Sequence, residues 1–265
     1  MFIGNGKINF TVQGEGSPVI LIHGIAASAQ VWSPLIPYIV QAGYRVFALD
    51  LPGHGESLKP SDAGHYHVHE IYSVVEEWIQ DLNLEEPITL ISHSLGGHLS
   101  LKYSLEHSDR VHSMVLIDPY YSPSQLFSPV RWIQSQLPIG TQALRWTSEG
   151  LLSQIVIRNP LLGNRLSIEY RRQMAIDLKR ASPLILHILP SVADLSPELP
   201  EIHTRTLVIW GSRDRTLRAN SFQPLVDLLP NSRGVKIPGT GHQPHLSKSD
   251  LVIQLVLEFL ARDQE

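Results

Sequence analysis

The sequence predicts an α/β protein in which helices flank a mostly parallel sheet. Short runs that are apolar almost without interruption recur along the chain, as expected of strands covered on both faces. Segments with a helical spacing of apolar residues lie between these runs, and such alternation is typical of parallel sheets. The alternation lapses between residues 119 and 193, which predicts an inserted helical cap.

Five apolar runs predict the central strands, and a shorter run predicts one more near the end of the chain. Helical patterns cover residues 69–82, 95–107 and 249–261. In a sheet of this kind, ligands bind at the carboxyl ends of the strands. The predicted strands are VILI (19–22), RVFALD (45–50), ITLIS (88–92), VHSMVLID (111–118), TLVIW (206–210) and the short RGVKIP (233–238).

The predicted domain organisation is a core of residues 1–118 and 194–265 with a cap of residues 119–193 over the carboxyl edge of the sheet. The cap contains two tryptophans and a helical stripe of four apolar residues. It has eight Lys or Arg against three Asp or Glu, so it is basic although the chain carries a net charge of -4. Two interpretations remain open: solvated helix faces, or a surface that makes interfacial contact or meets anionic substrates. The tryptophans are Trp132 and Trp146, and the stripe is Leu166, Tyr170, Met174 and Leu178.

The composition excludes several classes of function. Hydrophobic residues at 43% and charged residues at 17% of 265 describe a compact soluble protein. The net negative charge argues against a nucleic-acid partner. The absence of cysteine excludes disulfides, thiol catalysis and cysteine-ligated zinc. We find no pattern of a signal peptide or a transmembrane segment, and therefore expect a cytoplasmic enzyme.

The segment LISHSLGG (90–97) predicts a reactive serine. Ser94 lies between a predicted strand and a helix that begins at Leu95. A sharp strand-to-helix turn exposes its central side chain, and the residues two positions away must be small, as Ser92 and Gly96 are. The helix directs its amide dipoles at negative charge that forms near Ser94. The simpler interpretation is a helix start capped by serine.

The sequence S-H-S-L-G resembles the nucleophile elbow of the α/β-hydrolase family, whose pattern is G-x-S-x-G, with Ser92 in place of the first glycine. VILIHGIAAS (19–28) and DLPGHGES (50–57) resemble two further loops of the family. The resemblance covers residues 18–118 and about 200–262. It implies the α/β-hydrolase fold and the serine-nucleophile branch that contains esterases and lipases.

The resemblance also implies a catalytic triad in the order Ser94, Asp214, His242. GSRD (211–214) and GTGHQPH (239–245) stand where the family has its acid and its histidine. The oxyanion hole would consist of the backbone N–H groups of Ile25 and Leu95. No metal and no organic cofactor is implied.

Other polar residues compete for these roles. Asp118 ends a predicted strand at a position where some relatives have the acid, and His245 is an alternative base. The remaining candidates are predicted to have structural roles in loops, or in the solvated approach to a helix rather than in a metal site. They are Asp50, His23, His54 and the histidines 65, 67 and 69.

We expect a serine hydrolase that cleaves carboxylic esters of small apolar molecules through an acyl-enzyme. A serine nucleophile disfavours epoxide opening and dehalogenation, which use aspartate in the family. The first alternative is carbon-carbon bond hydrolysis of vinylogous ketoacids, with Arg171 or Arg172 pairing with a substrate carboxylate. The second is a ligand receptor or signalling protein on the same fold.

Overall fold

Strands of the computed structural model, which describes residues 7–128, 137–158 and 166–261, form a single sheet in the described part of the chain. The strand order is β1-β3-β2-β4-β5-β6-β7. β1 pairs antiparallel with β3 at one edge, and every other pairing is parallel. The strands are β1 (Phe10–Gln13), β2 (Ser17–Ile22), β3 (Tyr44–Leu49), β4 (Ile88–His93), β5 (Val111–Ile117), β6 (Arg205–Gly211) and β7 (Ser232–Ile237).

Helices cover both faces of the sheet. The α-helices of the described ranges are α1 (Ile36–Gln41), α2 (Val68–Asp81), α3 (Leu95–Glu106), α4 (Leu137–Trp146), α5 (Glu149–Arg158), α6 (Ile168–Arg180), α7 (Phe222–Leu228), α8 (Pro244–Ser247) and α9 (Ser249–Ala261). Single turns of 3₁₀ helix lie at Ala29–Trp32, Ala63–Tyr66, Ser108–Arg110, Pro123–Gln125, Pro183–His187, Leu189–Ser191, Leu199–Glu201 and Ala219–Ser221.

Two hydrophobic cores lie on opposite faces of the sheet because successive strand residues point in opposite directions. In β2, Ile20 and Ile22 belong to the core that α2, α3 and α7 cover. Val19 and Leu21 belong to the core that α1 and α9 cover. Both faces are therefore apolar, which explains why the central strands have no polar alternation in the sequence.

The structure confirms the predicted fold class, with strand and helix ends within about two residues of the predicted ones for most elements. The prediction missed β1, a four-residue edge strand with one buried residue, Phe10. The predicted cap helix begins at Ile168, so Leu166 precedes it instead of belonging to it. Among the described residues, no helix combines the length and the apolar character that crossing a membrane requires.

Candidate active site

The turn between β4 and α3 holds Ser94 in a conformation that is rare for residues with a side chain. Its backbone has φ 51° and ψ -114°. Gly96 permits the turn, because a Cβ atom there would lie 2.3 Å from the carbonyl oxygen of Ile22. Gly24 allows a similar close approach on the other side, where a Cβ would lie 3.0 Å from Cβ of Ser94. Ser92 fills the position of the family's first glycine and is fully buried.

Ser94, His242 and Asp214 form a continuous chain of hydrogen bonds. Ser94 Oγ and His242 Nε2 are 2.9 Å apart, and His242 Nδ1 lies 2.7 Å from Asp214 Oδ2. Asp214 Oδ1 accepts the N–H groups of Thr216 at 2.8 Å and Leu217 at 3.1 Å. Because the Asp214 carboxylate is fixed in this way, His242 donates from Nδ1 and presents its Nε2 lone pair to the serine hydroxyl.

Two backbone amides lie beside Ser94. Leu95 is the first residue of α3, where N–H groups lack a helical acceptor. Ile25 lines the same cavity as Ser94, next to Ala26, whose φ of 59° is left-handed. Within the described residues, neither amide has a hydrogen-bond partner. Both N–H groups are therefore free to donate a hydrogen bond.

The polar residues of the two other family loops hold those loops together. Asp50 accepts N–H groups from Ala29 at 2.8 Å and Glu56 at 2.9 Å. His23 accepts the N–H of Leu51 through Nε2, and His54 donates from Nδ1 to the carbonyl of Pro52. Burial lowers the pKa of His54 to about 3, so this ring is neutral. The exposed histidines 65, 67 and 69 lie at the start of α2, where His67 caps the helix.

The two rival residues, Asp118 and His245, are buried outside the hydrogen-bonded chain. Asp214 bonds to the imidazole of His242, whereas Asp118 accepts the N–H of Gly211 at 3.0 Å. His245 packs between Trp32 and His93, with the rings tilted and their centroids 5.2 Å and 4.7 Å from that of His245. Neither of its ring nitrogens has a partner among the described residues, and burial lowers its pKa to about 3. Neither rival therefore belongs to the hydrogen-bonded chain that joins Ser94, His242 and Asp214.

A cavity of about 330 Å³ opens above Ser94. Its walls are mostly apolar, and residues from the segment between β5 and β6 form one side. Among the described lining residues, Arg215 is the only Asp, Glu, Lys or Arg, and it is exposed. Lining residues from that segment are Tyr120, Leu126, Val156, Leu166, Met174, Leu178 and Leu189.

The structure corrects one expectation about this segment, the role of Arg171 or Arg172. Arg171 and Arg172 do not line the cavity: Arg171 is buried and donates from Nε to the carbonyl of Leu166, and Arg172 is exposed. Trp146 is 83% exposed and also lies outside the lining, because it ends α4 on the outer surface. Trp132 lies outside the described residues. Sequence reasoning missed Arg215, although its place directly after Asp214 was a usable signal.

A second cleft of about 200 Å³ lies next to the cavity. Val31 and Met174 line both spaces and therefore form their common boundary. Asp177 lines the second cleft and accepts a hydrogen bond from Ser28 Oγ at 3.0 Å. This contact ties α6 to the loop that carries Ile25. Met174 and Asp177 are three positions apart on α6 and therefore lie on neighbouring parts of its surface. Met174 forms part of the boundary between the two spaces, and Asp177 bonds to Ser28.

A sequence profile described as the alpha/beta hydrolase fold matches residues 17–149, which is half of the chain. The chain therefore belongs to the α/β hydrolase fold family. The fold and the family together define a hydrolase as the class of protein.

Two curated relatives match the chain over nearly its whole length. One is "2-hydroxy-6-oxononadienedioate/2-hydroxy-6-oxononatrienedioate hydrolase" from Escherichia coli (strain K12), 28% identical over 97% of this chain and 91% of the relative. The other is "2-hydroxy-6-oxo-6-phenylhexa-2,4-dienoate hydrolase" from Burkholderia cepacia, 26% identical over 98% and 93%. Among solved structures, a thermophilic esterase from Thermogutta terrifontis superposes with a TM-score of 0.80 at 21% identity, covering 97% of this chain and 94% of that one. At this identity the likeness shows the fold.

Proposed function

We propose that this protein is a serine hydrolase that cleaves carboxylic esters of small apolar molecules through an acyl-enzyme on Ser94. One observation carries the proposal: the hydrogen-bonded chain from Ser94 through His242 to Asp214 lies at the base of an apolar cavity. A serine hydroxyl alone is a weak nucleophile, and an oriented imidazole is what activates it.

The geometry suits acyl transfer. His242 Nε2 takes the proton of Ser94 Oγ as this oxygen attacks the ester carbonyl carbon. His242 then gives the proton to the departing alcohol, leaving the acyl group on Ser94. A water molecule next loses a proton to His242 and attacks the acyl carbon. The carbon-oxygen bond to Ser94 breaks, the proton returns to Oγ, and the carboxylic acid leaves.

The amides of Ile25 and Leu95 would stabilise the tetrahedral intermediate. Each preorganised donor of this type contributes about 10²- to 10³-fold to the rate. The start of α3 adds the positive end of a helix dipole at the same place. Because the surrounding walls are apolar, these interactions are stronger than they would be in water.

The cavity favours substrates with a small apolar group. Its volume of about 330 Å³ is at the lower end of the range for small-molecule sites. Aliphatic side chains from Leu126, Leu166, Met174, Leu178 and Leu189 would contact an acyl or alcohol group. We therefore expect short esters to be turned over faster than long ones, and a series of p-nitrophenyl esters graded by acyl length would measure this preference.

Substitution of Ser94 tests the mechanism. We expect Ser94→Ala to lower kcat on p-nitrophenyl butyrate by at least about 10³-fold and to abolish labelling by a fluorophosphonate. Ser100→Ala is the matched control, because Ser100 is a fully buried serine on the adjoining helix α3 and its hydroxyl has no partner among the described residues. Undiminished turnover by Ser94→Ala would remove this residue from the mechanism.

A second candidate is carbon-carbon bond hydrolysis of 2-hydroxy-6-oxo-dienoates. Two observations favour it: the activity for which both curated relatives are named, and the presence of Arg215 at the cavity. A guanidinium could pair with a substrate carboxylate while Ser94 attacks the 6-oxo carbon. The C5–C6 bond would then break, C5 would take a proton from His242, and water would release the acyl group from Ser94. Higher kcat/KM for such a dienoate than for any simple ester would favour this candidate over the first.

A further inference from the structure

Asp118 is a buried carboxyl group that the proposed mechanism does not use. It directly follows β5, and its backbone φ of 42° lies in the left-handed region. Its N–H donates to the carbonyl of Ile209 at 2.8 Å, and its Oδ1 accepts the N–H of Gly211 at 3.0 Å. These contacts hold the side chain between the carboxyl ends of β5 and β6. A strained conformation of this kind persists only where the surroundings enforce it.

The neighbour of Asp118 in this position is Asp214. One oxygen of each carboxyl group and one nitrogen of His242 all lie within 4.8 Å of one another. Asp118 is 0% exposed, and its Oδ2 has no hydrogen-bond donor among the described residues. An ionised carboxylate buried in this way would leave one oxygen unsatisfied beside a second negative charge.

We infer that Asp118 keeps a proton at neutral pH and donates it to Asp214, so that Asp118 is a positioning residue for the acid of the proposed triad. Two buried carboxylates this close together cannot both ionise without strong repulsion. A single proton between them removes the repulsion and gives Oδ2 of Asp118 a hydrogen bond. The pair then holds one negative charge, which faces His242.

The charges around the pair are consistent with this assignment. The groups that face Asp118 from the neighbouring loops are Asp214 after β6 and His242 after β7; His93 at the end of β4 packs against the far side of His242. Arg213 and Arg215 flank Asp214 in the sequence, and both are exposed. Burial, followed by the charge of Asp214, raises the pKa of Asp118 well above its ordinary value.

This inference rests on the proposed role of Asp214, but the proton can be located without measuring turnover. The folded pKa of Asp118 is raised above its unfolded value. Its favourable contribution is therefore complete below the unfolded pKa and is lost as the pH rises toward the folded pKa. In that range the unfolding equilibrium constant should increase up to tenfold per pH unit because of this one group.

The experiment compares the wild type with two variants by urea unfolding between pH 4 and pH 8. Asp118→Asn is close to isosteric, accepts from Gly211 and donates to Asp214, but it cannot titrate. We expect Asp118→Asn to lack the part of the pH dependence of the unfolding equilibrium constant that Asp118 causes in the wild type. Asp227→Asn changes an exposed aspartate on α7 and should leave the pH dependence as it is.

Infrared spectra of ¹³C-aspartate-labelled wild type at pH 7 should contain a protonated carboxyl band that the spectra of Asp118→Asn lack.

Kinetics test the positioning role. Asp118→Leu removes the donor, and we expect it to lower kcat for p-nitrophenyl butyrate about tenfold with little change in KM. Asp118→Asn should restore kcat to within about threefold of the wild type. Equal pH slopes for wild type and Asp118→Asn, with no difference in the carboxyl band, would overturn the shared proton. Full kcat in Asp118→Leu would overturn positioning, whereas an active Ser94→Ala would refute only the proposed function and leave the slopes unchanged.

Discussion

His93 donates a hydrogen bond from Nε2 to the backbone carbonyl of His242 over 2.7 Å. The residue that precedes the candidate nucleophile therefore holds the loop that carries the candidate base. The two imidazole rings also pack together, with centroids 4.8 Å apart. This contact links the end of β4 to the loop after β7 across the two strands between them, independently of the bond from Ser94 to His242.

His93→Phe should lower catalytic efficiency without unfolding the protein. The phenyl ring can keep the packing but cannot donate, so the carbonyl of His242 loses its partner. Losing this hydrogen bond costs about 1 kcal/mol, which corresponds to a roughly fivefold lower kcat if the whole cost falls on the transition state. Because His242 would also be misplaced, we expect kcat to fall about tenfold. Steady-state kinetics on a p-nitrophenyl ester would measure it.

The control for this variant is His245→Leu. His245 belongs to the same stack of rings but donates to no described residue, so we expect its replacement to leave kcat within twofold. Equal kcat for wild type and His93→Phe would show that the hydrogen bond does not position His242.

His245→Leu should also make the protein more resistant to acid. The folded pKa of His245, about 3, lies below its unfolded value, so the unfolded state binds a proton that the native state excludes. Its neutral form contributes stability above pH 6.5, and this contribution is lost as the pH falls toward 3. The wild type should therefore lose roughly 1.4 kcal/mol per pH unit through this group, and His245→Leu should not. Urea unfolding at pH 7 and pH 5 tests it; parallel losses in both proteins would contradict the prediction.

Gly96→Ala should damage both stability and activity. The added methyl group would meet the backbone carbonyl oxygens of Ile22 at 2.3 Å and His23 at 2.8 Å, and neither can move independently of its strand or loop. We expect α3 to shift away from β2, at a cost of about 1–3 kcal/mol, and kcat to fall by about 10²-fold as the amide of Leu95 moves.

Gly150→Ala is the control for overpacking, because a Cβ at Gly150 in α5 has no neighbour within 4 Å. Alanine there should leave activity intact and raise stability by up to about 1 kcal/mol. Thermal unfolding and kinetics on both variants are the measurements. A Gly96→Ala variant as active and stable as the wild type would contradict the close packing.

Arg215→Gln should distinguish anionic from neutral substrates. We expect kcat/KM for a 2-hydroxy-6-oxo-dienoate to fall about tenfold, because a charge-assisted hydrogen bond is lost at an exposed site. A neutral p-nitrophenyl ester should change by less than twofold. Arg213→Gln is the matched control, since Arg213 is exposed and does not line the cavity. Equal effects of Arg215→Gln on both substrates would exclude a role for this residue in carboxylate recognition.

Local patterns predicted much of the fold. β2, β3, β4, β5 and β6 are apolar on both faces, and burial on both faces makes such strands recognisable from sequence alone. β1 was missed because an edge strand with one buried residue has no comparable pattern. The residues Ser94, Asp214 and His242 were selected from motifs at strand ends, and the structure brings these strand ends together.

Contacts between distant segments could not be predicted in the same way. The bond from His93 to His242, the approach of Asp118 to Asp214 and the tie from Ser28 to Asp177 each join residues 96 to 149 positions apart. Their partners depend on packing angles between loops, which no local pattern specifies. For the same reason the sequence suggested Arg171 or Arg172 as the cation at the cavity. The orientation of α6 directs both side chains away from the cavity, and Arg215 is the arginine that lines it among the described residues.

Met174 and Val31 separate the cavity above Ser94 from the adjacent cleft. Neither side chain belongs to the hydrogen-bonded chain of Ser94, His242 and Asp214. Shortening Met174 would join the two spaces into one longer channel and admit chains that the present boundary stops. A single flexible side chain therefore limits the length of the space above Ser94, and its replacement would change which substrates fit without altering Ser94, His242 or Asp214.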